Sequence, residues 1–231
     1  MPMESIVLCG GESKRMKPYL PFNKPLAEIG GGRLLVEYQV DWLRSHDVDH
    51  VVLAIDKETY AGLRVLRPGL LDFVDCSVED VRLGTGGAVV KALELLDSSR
   101  FYLMNVDDII LSDGYGPGDL LSVLDGFDGA LGSVLLGRAR FPFGVVETRS
   151  RRVVGFRQKP ILDFRVCAGH YAFTVEGVER YFPSRGNFED GALQRMARDG
   201  VLYSLDLEGE WITVNNVKQL EAARRRLEGL C

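Results

Sequence analysis

The chain has 231 residues, of which 46% are hydrophobic and 26% are charged. This composition is typical of a folded globular protein and excludes a collagen-like, wholly disordered or disulfide-rich chain. A chain of this size buries about 70% of the surface that its unfolded form exposes, so its core needs no disulfide or metal to hold it together. The formal net charge of -5 argues against a partner that is held through nucleic-acid phosphates.

The sequence also gives no sign of export or of membrane insertion. No apolar run approaches the roughly 20 residues of a membrane-spanning helix, and the first residues lack the pattern of a secretory signal. Cys9, Cys76, Cys167 and Cys231 have no CxxC spacing, so we expect reduced thiols and no zinc site. We therefore expect a cytoplasmic protein with neither nucleic acid nor a membrane as its partner.

The first half of the chain alternates short apolar runs with amphipathic segments. In chain order, the pattern predicts a strand at 6–9, a Gly-, Pro- and Lys-rich loop, a helix at 34–45, a strand at 51–55, a helix at 57–66, a strand at 72–76, a helix at 88–96 capped by Thr85, and a strand at 101–106. Such alternation indicates parallel strands with right-handed crossovers. In these sheets ligands bind beyond the carboxyl ends of the strands.

The second half has a different order of predicted elements. Strands are predicted at 130–136, 144–148, 153–158 and 166–173, then helices at 174–182 and 188–199, strands at 202–207 and 211–214, and a helix at 216–229. No linker separates the two halves. We therefore expect one continuous domain over residues 1–231.

The segment after the first strand carries the strongest functional signal. Gly10 and Gly11 let the backbone approach a ligand and direct N–H groups at an anion. Arg15 offers a planar fork that suits phosphate oxygens, and Lys24 adds a compact positive charge. The pattern is neither a Walker A loop nor a GxGxxG fingerprint. The alternative interpretation is a plain glycine turn whose basic neighbours are solvated.

Seven motifs in chain order resemble those of the sugar-1-phosphate nucleotidylyltransferase family. They are GGESKRMKPYLPFNKPLAEIGG at 10–31, LGTGGA at 83–88, NVD at 105–107, FGVVE at 143–147, FRQKP at 156–160, AGHY at 168–171 and WITV at 211–214. Each motif alone is modest, but the ordered set covers almost the whole chain.

The resemblance implies a fold and a reaction. The fold is α/β, a Rossmann-like three-layer α/β/α sandwich with a mixed, mainly parallel sheet of the nucleotide-diphospho-sugar transferase type. Residues 1–231 would form a single catalytic domain, with a nucleotide-binding half at about 1–125, a sugar-phosphate-binding half at about 126–231 and no C-terminal β-helix domain. A sugar 1-phosphate oxygen would attack the α-phosphorus of an NTP and release pyrophosphate, assisted by Mg²⁺.

The resemblance also assigns roles to residues. Arg15 would hold the triphosphate, Lys24 would draw the NTP and the attacking phosphate together, and Asp107 would hold Mg²⁺. The nucleotide-binding residues would be Gly10, Gly11, Ser13, Leu83, Thr85 and Gly86. The sugar-phosphate-binding residues would be Gly144, Glu147, Lys159 and Gly169, although a cross-strand ion pair is an equal reading of Glu147. Asp108 is expected to be structural, and His170 to be a packed histidine.

Three positions depart from the family pattern. Thr213 stands where the family usually has a second metal-binding Asp, and a hydroxyl is a poorer Mg²⁺ ligand than a carboxylate. The metal would then be held by Asp107 and the phosphates alone, or Asp108 or another acid would substitute, or activity would be reduced. Gln158 and Cys167 replace an acid and an amide expected near the sugar, so the sequence does not identify the sugar.

Two other functions remain open at this stage. The chain could be a non-catalytic regulatory protein that binds nucleotide sugars, which Thr213 favours. It could also be a cytidylyl- or guanylyltransferase of the same fold with a non-sugar phosphate acceptor, which the Ser13 and Met16 version of the loop allows. The sequence fixes neither the NTP nor the sugar, and it leaves a homo-oligomer open.

Overall fold

A computed structural model describes residues 2–11, 13, 16, 19–20 and 22–228. The first half contains β1 (Glu4–Leu8), a 3₁₀ helix (Lys24–Leu26), β2 (Glu28–Gly30), β3 (Arg33–Leu34), α1 (Leu35–Ser45), β4 (His50–Asp56), α2 (Lys57–Leu66), a 3₁₀ helix (Pro68–Asp72), β5 (Asp75–Glu79), α3 (Gly84–Ala92), a 3₁₀ helix (Leu93–Leu95), β6 (Arg100–Asn105), β7 (Asp108–Leu111) and α4 (Pro117–Gly126).

The second half begins with antiparallel strands and ends with a helix. It contains β8 (Gly132–Arg140), β9 (Gly144–Arg149), β10 (Arg152–Gln158), β11 (Ile161–Thr174), α5 (Val175–Tyr181), α6 (Ala192–Arg198), β12 (Leu202–Asp206), β13 (Glu210–Thr213) and α7 (Val217–Glu228).

One seven-stranded sheet joins the two halves, in the order β12-β8-β11-β6-β1-β4-β5. Strand β11 runs antiparallel to both of its neighbours, β6 and β8, whereas the other pairs in this sheet are parallel. The sheet is therefore mixed and mainly parallel, as predicted. Because β1 lies between β6 and β4, the loops that follow these three strands emerge side by side at one edge.

Helices cover both faces of the sheet. The side chains of β1 alternate between the two faces, so Val7 belongs to one hydrophobic core cluster while Ile6 and Leu8 belong to the other. The cluster of Val7 contains buried residues of α1, α2, α4 and α7, and the other cluster contains buried residues of α3, α5 and α6. The three-layer arrangement that the family resemblance implies is thus confirmed.

Most of the predicted elements lie within a few residues of the observed ones, but three predictions are wrong. The strand predicted at 72–76 is β5 at Asp75–Glu79, because residues 68–72 form a 3₁₀ turn and Phe73 is exposed. Thr85 does not cap a helix at 88–96. Helix α3 already begins at Gly84, and residues 93–95 form a 3₁₀ turn. Helix α6 starts at Ala192 rather than 188, after a turn in which the Ala192 N–H donates to the Phe188 carbonyl.

Four elements had no counterpart in the prediction. Strands β2 and β3 form a small hairpin within the glycine-rich loop, and β7 pairs with β13 outside the main sheet. Helix α4 has Pro117 in its first turn, and the Asp119 carboxylate accepts the Gly116 N–H at 2.7 Å. Both are typical start signals of a helix. Among the described residues, no helix is long and apolar enough to cross a bilayer.

A charged cluster joins the first residues of β1, β4 and β5. It lies at the opposite end of these strands from the loops that follow β1, β4 and β6. The His50 ring lies 2.9 Å from Glu4 through Nδ1 and 2.9 Å from Asp75 through Nε2. Burial lowers the pKa of His50, but hydrogen bonds and charge interactions with Glu4 and Asp75 outweigh burial, so the net pKa is raised above 6.5. The folded protein therefore favours the protonated ring.

We predict that His50 stabilises the fold in a pH-dependent way. The contribution is fully present below about pH 6.5 and is lost as the pH rises through the higher folded-state pKa. His50→Gln is expected to lower the free energy of unfolding by about 0.5–1 kcal/mol at pH 6 and by less at pH 9. Urea denaturation across this range measures it, and Asp75→Asn should weaken the same pH dependence. A gap between wild type and His50→Gln that stays constant with pH would contradict the prediction.

Candidate active site

The carboxyl ends of β1 and β6 bring two distant segments together. The two strands are parallel neighbours, with Leu8 opposite Asn105. Gly10 and Gly11 follow β1, and Asp107 follows β6, so the glycine turn and the acid share one edge of the sheet. Gly11 has a φ of +128°, a backbone conformation that glycine adopts without strain.

A cleft of about 580 Å³ opens at this edge. Of the residues predicted from the sequence, it is lined by Gly10, Gly11, Ser13, Lys24, Thr85 and Asp107. The remaining lining residues are Leu8, Pro25, Asn105, Val106, Glu189 and Asn215. Arg15, the other predicted catalytic residue, lies outside the described residues. Six separate segments of the described chain therefore converge on one cavity.

Lys24 and Asp107 form an ion pair in this cleft. The Lys24 Nζ lies 2.6 Å from the Asp107 Oδ2, and the side chains are 17% and 18% exposed. The backbone N–H of Lys24 donates to the Ser13 Oγ at 2.7 Å. This contact within the glycine-rich loop fixes the position of the Lys24 backbone. A compact cation and a carboxylate in a half-closed cleft can neutralise phosphate oxygens and a metal ion respectively.

The backbone on either side of Asp107 is held from several directions. The Val214 N–H donates to the Asp107 carbonyl at 2.8 Å. The Gln39 Nε2 donates to the carbonyls of Val106 and Asp108 at 2.9 and 2.8 Å. The His170 Nε2 lies 3.0 Å from the same Asp108 carbonyl. This turn is consequently rigid, which fixes the direction in which the Asp107 side chain leaves it.

His170 is a structural part of this support. Burial lowers its pKa to about 4, against the opposing effect of its hydrogen bond to the Asp108 backbone, so the ring is neutral at pH 7. Because a carbonyl can only accept, Nε2 carries the proton and Nδ1 accepts from the Tyr102 hydroxyl. The prediction of a packed histidine agrees with this position.

Asp108 faces away from the cleft. Its Oδ1 accepts from the Trp211 Nε1 at 3.0 Å, and its Oδ2 accepts from the Asn105 Nδ2 at 3.0 Å. Burial first, and the charge of Asp107 second, raise the pKa of Asp108 to about 7. Thr213 lies opposite Asp108 in the β7–β13 pair, and its hydroxyl accepts from the Asn215 Nδ2 at 2.7 Å. Asp107 is therefore the member of the Asp-Asp pair that faces the cleft.

A smaller pocket of about 270 Å³ adjoins the cleft. Its lining residues are Leu8, Gly10, Gly11, Glu79, Arg82, Gly84, Thr85, Ala88 and Asn187. The first three and Thr85 line both cavities. The hydroxyl of Thr85 does not cap α3 but donates to the Glu189 carboxylate. This contact ties the first turn of α3 to the 187–190 segment across the cleft.

Leu83 and Gly86, whose role in nucleotide binding stays a prediction, hold a neighbouring loop through their backbones. The Gly86 N–H donates to the Gly186 carbonyl at 2.9 Å, and the Gly186 N–H donates to the Leu83 carbonyl at 2.6 Å. A Cβ at Gly86 would lie 2.8 Å from the ring of Pro183. Neither residue lines either cavity. They fix the 183–187 loop that carries Asn187 to the smaller pocket.

Three of the residues predicted to bind the sugar phosphate, Gly144, Glu147 and Lys159, line neither of these two cavities. Gly144 and Glu147 are on β9, whose pairing with β10 forms a separate two-stranded hairpin. The Glu147 carboxylate lies 3.8 Å from Arg157 in an exposed cross-strand ion pair. Lys159 follows β10 and is exposed. Their role in binding a sugar phosphate stays a prediction.

Gly169 packs directly behind the acids. It has a φ of +75°, and a Cβ there would overlap the Asp108 carboxylate and lie 2.8 Å from the Asn105 Nδ2. A side chain at this position is strained by the backbone conformation and blocked by lack of space. Gly169 thus allows Asp108 and Asn105 to approach the sheet closely.

Sequence reasoning missed several lining residues. Asn105 is part of the motif at 105–107, but the sequence assigns no role to it. Glu189, Asn187 and Asn215 are ordinary loop residues in the sequence and reach the cavities only through the fold. Glu79 ends a strand next to β4, which is the signal that could have found it.

We predict that Gly169→Ala lowers the free energy of unfolding by about 2–4 kcal/mol, since it combines a left-handed backbone with overlap in a packed site. Gly129→Ala is the matched control, because Gly129 has the same φ of +75° with no atom within 4 Å of the added Cβ. It should cost about 1 kcal/mol. Chemical denaturation of both variants compares them, and equal losses would show that the contact with Asp108 has no effect.

Comparison with known proteins bears on the chain as a whole. The family described as "MobA-like NTP transferase domain" matches residues 5–115. The mannose-1-phosphate guanyltransferase of Neurospora crassa is 28% identical over 229 residues, which are 94% of this chain and 62% of that protein. The mannose-1-phosphate guanylyltransferase catalytic subunit beta of Dictyostelium discoideum is 29% identical over 227 residues, with the same coverage. The chain thus spans 62% of the length of these relatives.

Solved structures share the fold over nearly the whole chain. HddC from Yersinia pseudotuberculosis superposes with a TM-score of 0.72 at 18% identity, covering 97% of this chain and 99% of that one. A UDP-glucose pyrophosphorylase in complex with UDP-glucose gives a TM-score of 0.71 at 14% identity, covering all of both chains. The domain match and the sequence relatives confirm the predicted resemblance to the sugar-1-phosphate nucleotidylyltransferases, and the solved structures show that the fold is shared.

Proposed function

We propose that the chain transfers a nucleoside monophosphate from an NTP to a sugar 1-phosphate. The observation that carries this proposal is the Lys24–Asp107 ion pair in a cleft floored by Gly10 and Gly11. The sequence relatives named as mannose-1-phosphate guanyltransferases support the general reaction. The whole chain would act as one catalytic unit, because a single sheet contains strands of both halves.

The reaction needs positioning and charge neutralisation rather than a protein nucleophile. A phosphate oxygen of the sugar 1-phosphate forms a bond to the α-phosphorus. The bond between that phosphorus and the oxygen bridging to the β-phosphorus breaks, and its electron pair leaves with pyrophosphate. The backbone at Gly10 and Gly11 can approach the triphosphate closely, and the Lys24 ammonium can neutralise oxygens of both reactants. Arg15 would hold the triphosphate from the same loop.

The donor set of the cleft fits a magnesium ion that is held mainly by its substrate. Mg²⁺ in phosphoryl-transfer sites is usually bound by one or two carboxylates together with substrate phosphates. Asp107 supplies one carboxylate in the cleft, and both oxygens of Asp108 are occupied by Trp211 and Asn105. The described residues contain no group of three or more His, Cys, Asp or Glu side chains that could form a cage. When bound, the ion would neutralise charge on the phosphates, with Asp107 as its protein ligand.

Further roles follow from the same proposal. The Ser13 hydroxyl would position Lys24 by accepting its backbone N–H. Thr85, Leu83 and Gly86 would shape the side of the nucleotide site at the start of α3. Gly144, Glu147, Lys159 and Gly169 would form the sugar-phosphate side, with Gly169 acting through Asp108. The free thiols of Cys9, Cys76 and Cys167 suit the reducing cytoplasm, where we place the protein.

A transferase with a different phosphate acceptor is the second candidate. The matching family is described as MobA-like, and Gly144, Glu147 and Lys159 do not line the two cavities. Pyrophosphate release should therefore be assayed with four NTPs against several sugar 1-phosphates and several alcohol phosphates. Turnover only with a non-sugar acceptor would favour the second candidate. Nucleotide-sugar binding without any turnover would instead favour a regulatory protein.

We predict that Lys24→Met lowers kcat/KM for pyrophosphate release by about 100-fold or more, because it removes a cation from the reacting phosphates. Lys57→Met is the matched control. Lys57 also pairs with an aspartate, Asp80, at 2.8 Å, but both side chains are largely exposed. This variant should keep its activity within about twofold. Equal activity of the two variants would rule out a catalytic role for Lys24.

We also predict that activity is lost in EDTA and returns with added Mg²⁺. Asp107→Asn should raise the Mg²⁺ concentration needed for half-maximal rate by about tenfold or more, because the neutral amide is a weaker ligand. Asp113→Asn, at an exposed position, should leave the titration unchanged. Identical Mg²⁺ curves for wild type and Asp107→Asn would remove Asp107 as the metal ligand.

A further inference from the structure

Residues 138–165 form an arm that leaves the main sheet. Strands β8 and β11 continue to pair at its base, with Arg165 opposite Arg138, whereas the pairing of β11 with β6 is confined to residues 170–174. Beyond this base, β9 and β10 form a separate two-stranded hairpin. Among the described residues, neither hydrophobic core cluster contains a side chain of the arm. Packing in the core therefore does not stabilise the hairpin.

One face of the hairpin is apolar and open. Phe156 lies opposite Val146, and Val153 lies opposite Thr148. Because alternate residues of a strand share a face, these four side chains lie on the same side of the hairpin. Val146, Val153 and Phe156 are 46, 57 and 63% exposed. A lone two-stranded hairpin is only marginally stable in water, so this face is expected to be covered in the working protein.

The exposed apolar surface of the arm is large enough for a protein interface. Phe143, Phe156 and Phe164 are each more than 60% exposed, which amounts to about 400 Å² for three aromatic side chains of about 200 Å² each. With the half-exposed aliphatic side chains of the arm, the total is about 700 Å², which exceeds the largest apolar patch of a typical monomer. It approaches the roughly 800 Å² that each partner contributes to a standard interface.

The charge of the arm is opposite to that of the rest of the chain. Between residues 138 and 165 there are seven arginines and one lysine, against one glutamate and one aspartate, so the arm has a formal net charge of +6. The whole chain has a net charge of -5, so the remaining residues together have a net charge of -11. The body of the chain, defined as all residues outside the arm, is thus electrostatically complementary to the arm.

Positive charge is concentrated at the tip of the hairpin. Arg149 lies directly opposite Arg152, and Arg151 stands in the turn between them. Like charges at opposite positions of paired strands are destabilising. Elsewhere in the arm, Arg157 pairs with Glu147 and Arg165 pairs with Asp206, but no acidic side chain in the described part of the chain lies within 4 Å of the three arginines at the tip. The tip is therefore suited to an acidic partner from outside its own chain.

We propose that two copies of this chain associate, with the arm of each copy lying on the acidic body of the other. The partner's body covers the apolar face of the hairpin, and its carboxylates meet the arginines at the tip. Contact between two arms would bring like charges together. An extended polyanion, such as nucleic acid or an anionic membrane, would attract the arm but repel the body. A second copy offers complementary charge to both, and two-fold symmetry repeats the contact.

Sedimentation equilibrium of the full chain, over a range of protein concentrations, tests this proposal directly. Wild type should sediment at twice the monomer mass, with a Kd at or below about 1 µM. Raising the ionic strength from about 0.05 M to about 0.5 M should weaken association by about fivefold or more, because salt screens the contacts between the arm and the body. A chain that stays monomeric at about 100 µM would overturn the proposal.

Charge reversal at the tip tests the electrostatic part of the contact. The double variant Arg149→Glu/Arg152→Glu replaces one pair of like charges by another, so the stability of the hairpin itself should change little. Its Kd for association should rise by about tenfold or more. Arg64→Glu/Arg198→Glu makes the same change in net charge at exposed positions outside the arm, and it should not weaken association. Equal effects of the two double variants would show that the arm has no special role.

The apolar face is tested by Phe156→Asp. Loss of a central aromatic contact should raise the Kd by about 30-fold or more. Phe73→Asp is the matched control, because Phe73 is 57% exposed and lies outside the arm; this variant should associate like wild type. A dimer that is unaffected by both Phe156→Asp and the tip reversal would place the interface elsewhere. Flotation of a monomeric chain with phosphatidylserine vesicles would assign the arm to a membrane and also overturn the proposal.

Discussion

The meeting of Lys24 with Asp107 is the interaction on which the rest of the cleft depends. The two residues are 83 positions apart and come within 2.6 Å only because β1 and β6 are parallel neighbours that end at the same edge. An ammonium and a carboxylate in a partly enclosed cavity stabilise each other before any substrate arrives. On the proposed function, the same two charges would offer separate partners to phosphate oxygens and to a cation.

The position of Asp107 is fixed by polar contacts behind the site, on its neighbour Asp108, rather than by the residues that line the cleft. Gln39, His170 and Trp211 donate to the backbone or side chain of Asp108, the neighbour of Asp107. Gly169 leaves the space in which this network fits. Buried polar groups are costly unless they are paired, and fully paired networks rigidify their surroundings. We regard Asp108 as a positioning residue, since its carboxylate is committed to Trp211 and Asn105.

The departures from the family pattern acquire a physical meaning in the fold. Thr213 lies beside Asp108 and engages Asn215, whose side chain lines the cleft. The position that would carry a second acid therefore belongs to the support of the site in this chain. A metal would have to rely on Asp107 and on the substrate, which links its binding to the presence of nucleotide. The hairpin of β9 and β10, separate from both cavities, leaves the acceptor side the least defined part of the site.

The sequence by itself determined the alternation of strands and helices and the position of the glycine turn. These features rest on local signals: apolar runs of strand length, amphipathic helices, and glycines next to basic residues. The layered arrangement was expected from the family resemblance, and the roles given to Lys24 and Asp107 on the same ground stay predictions. It failed where tertiary contacts overrode local pattern, as at Thr85, which binds Glu189 instead of capping a helix. Asn187, Glu189 and Asn215 carry no local signature. Only the tertiary structure could place them, because strand order and loop packing decide which distant polar groups share a cavity.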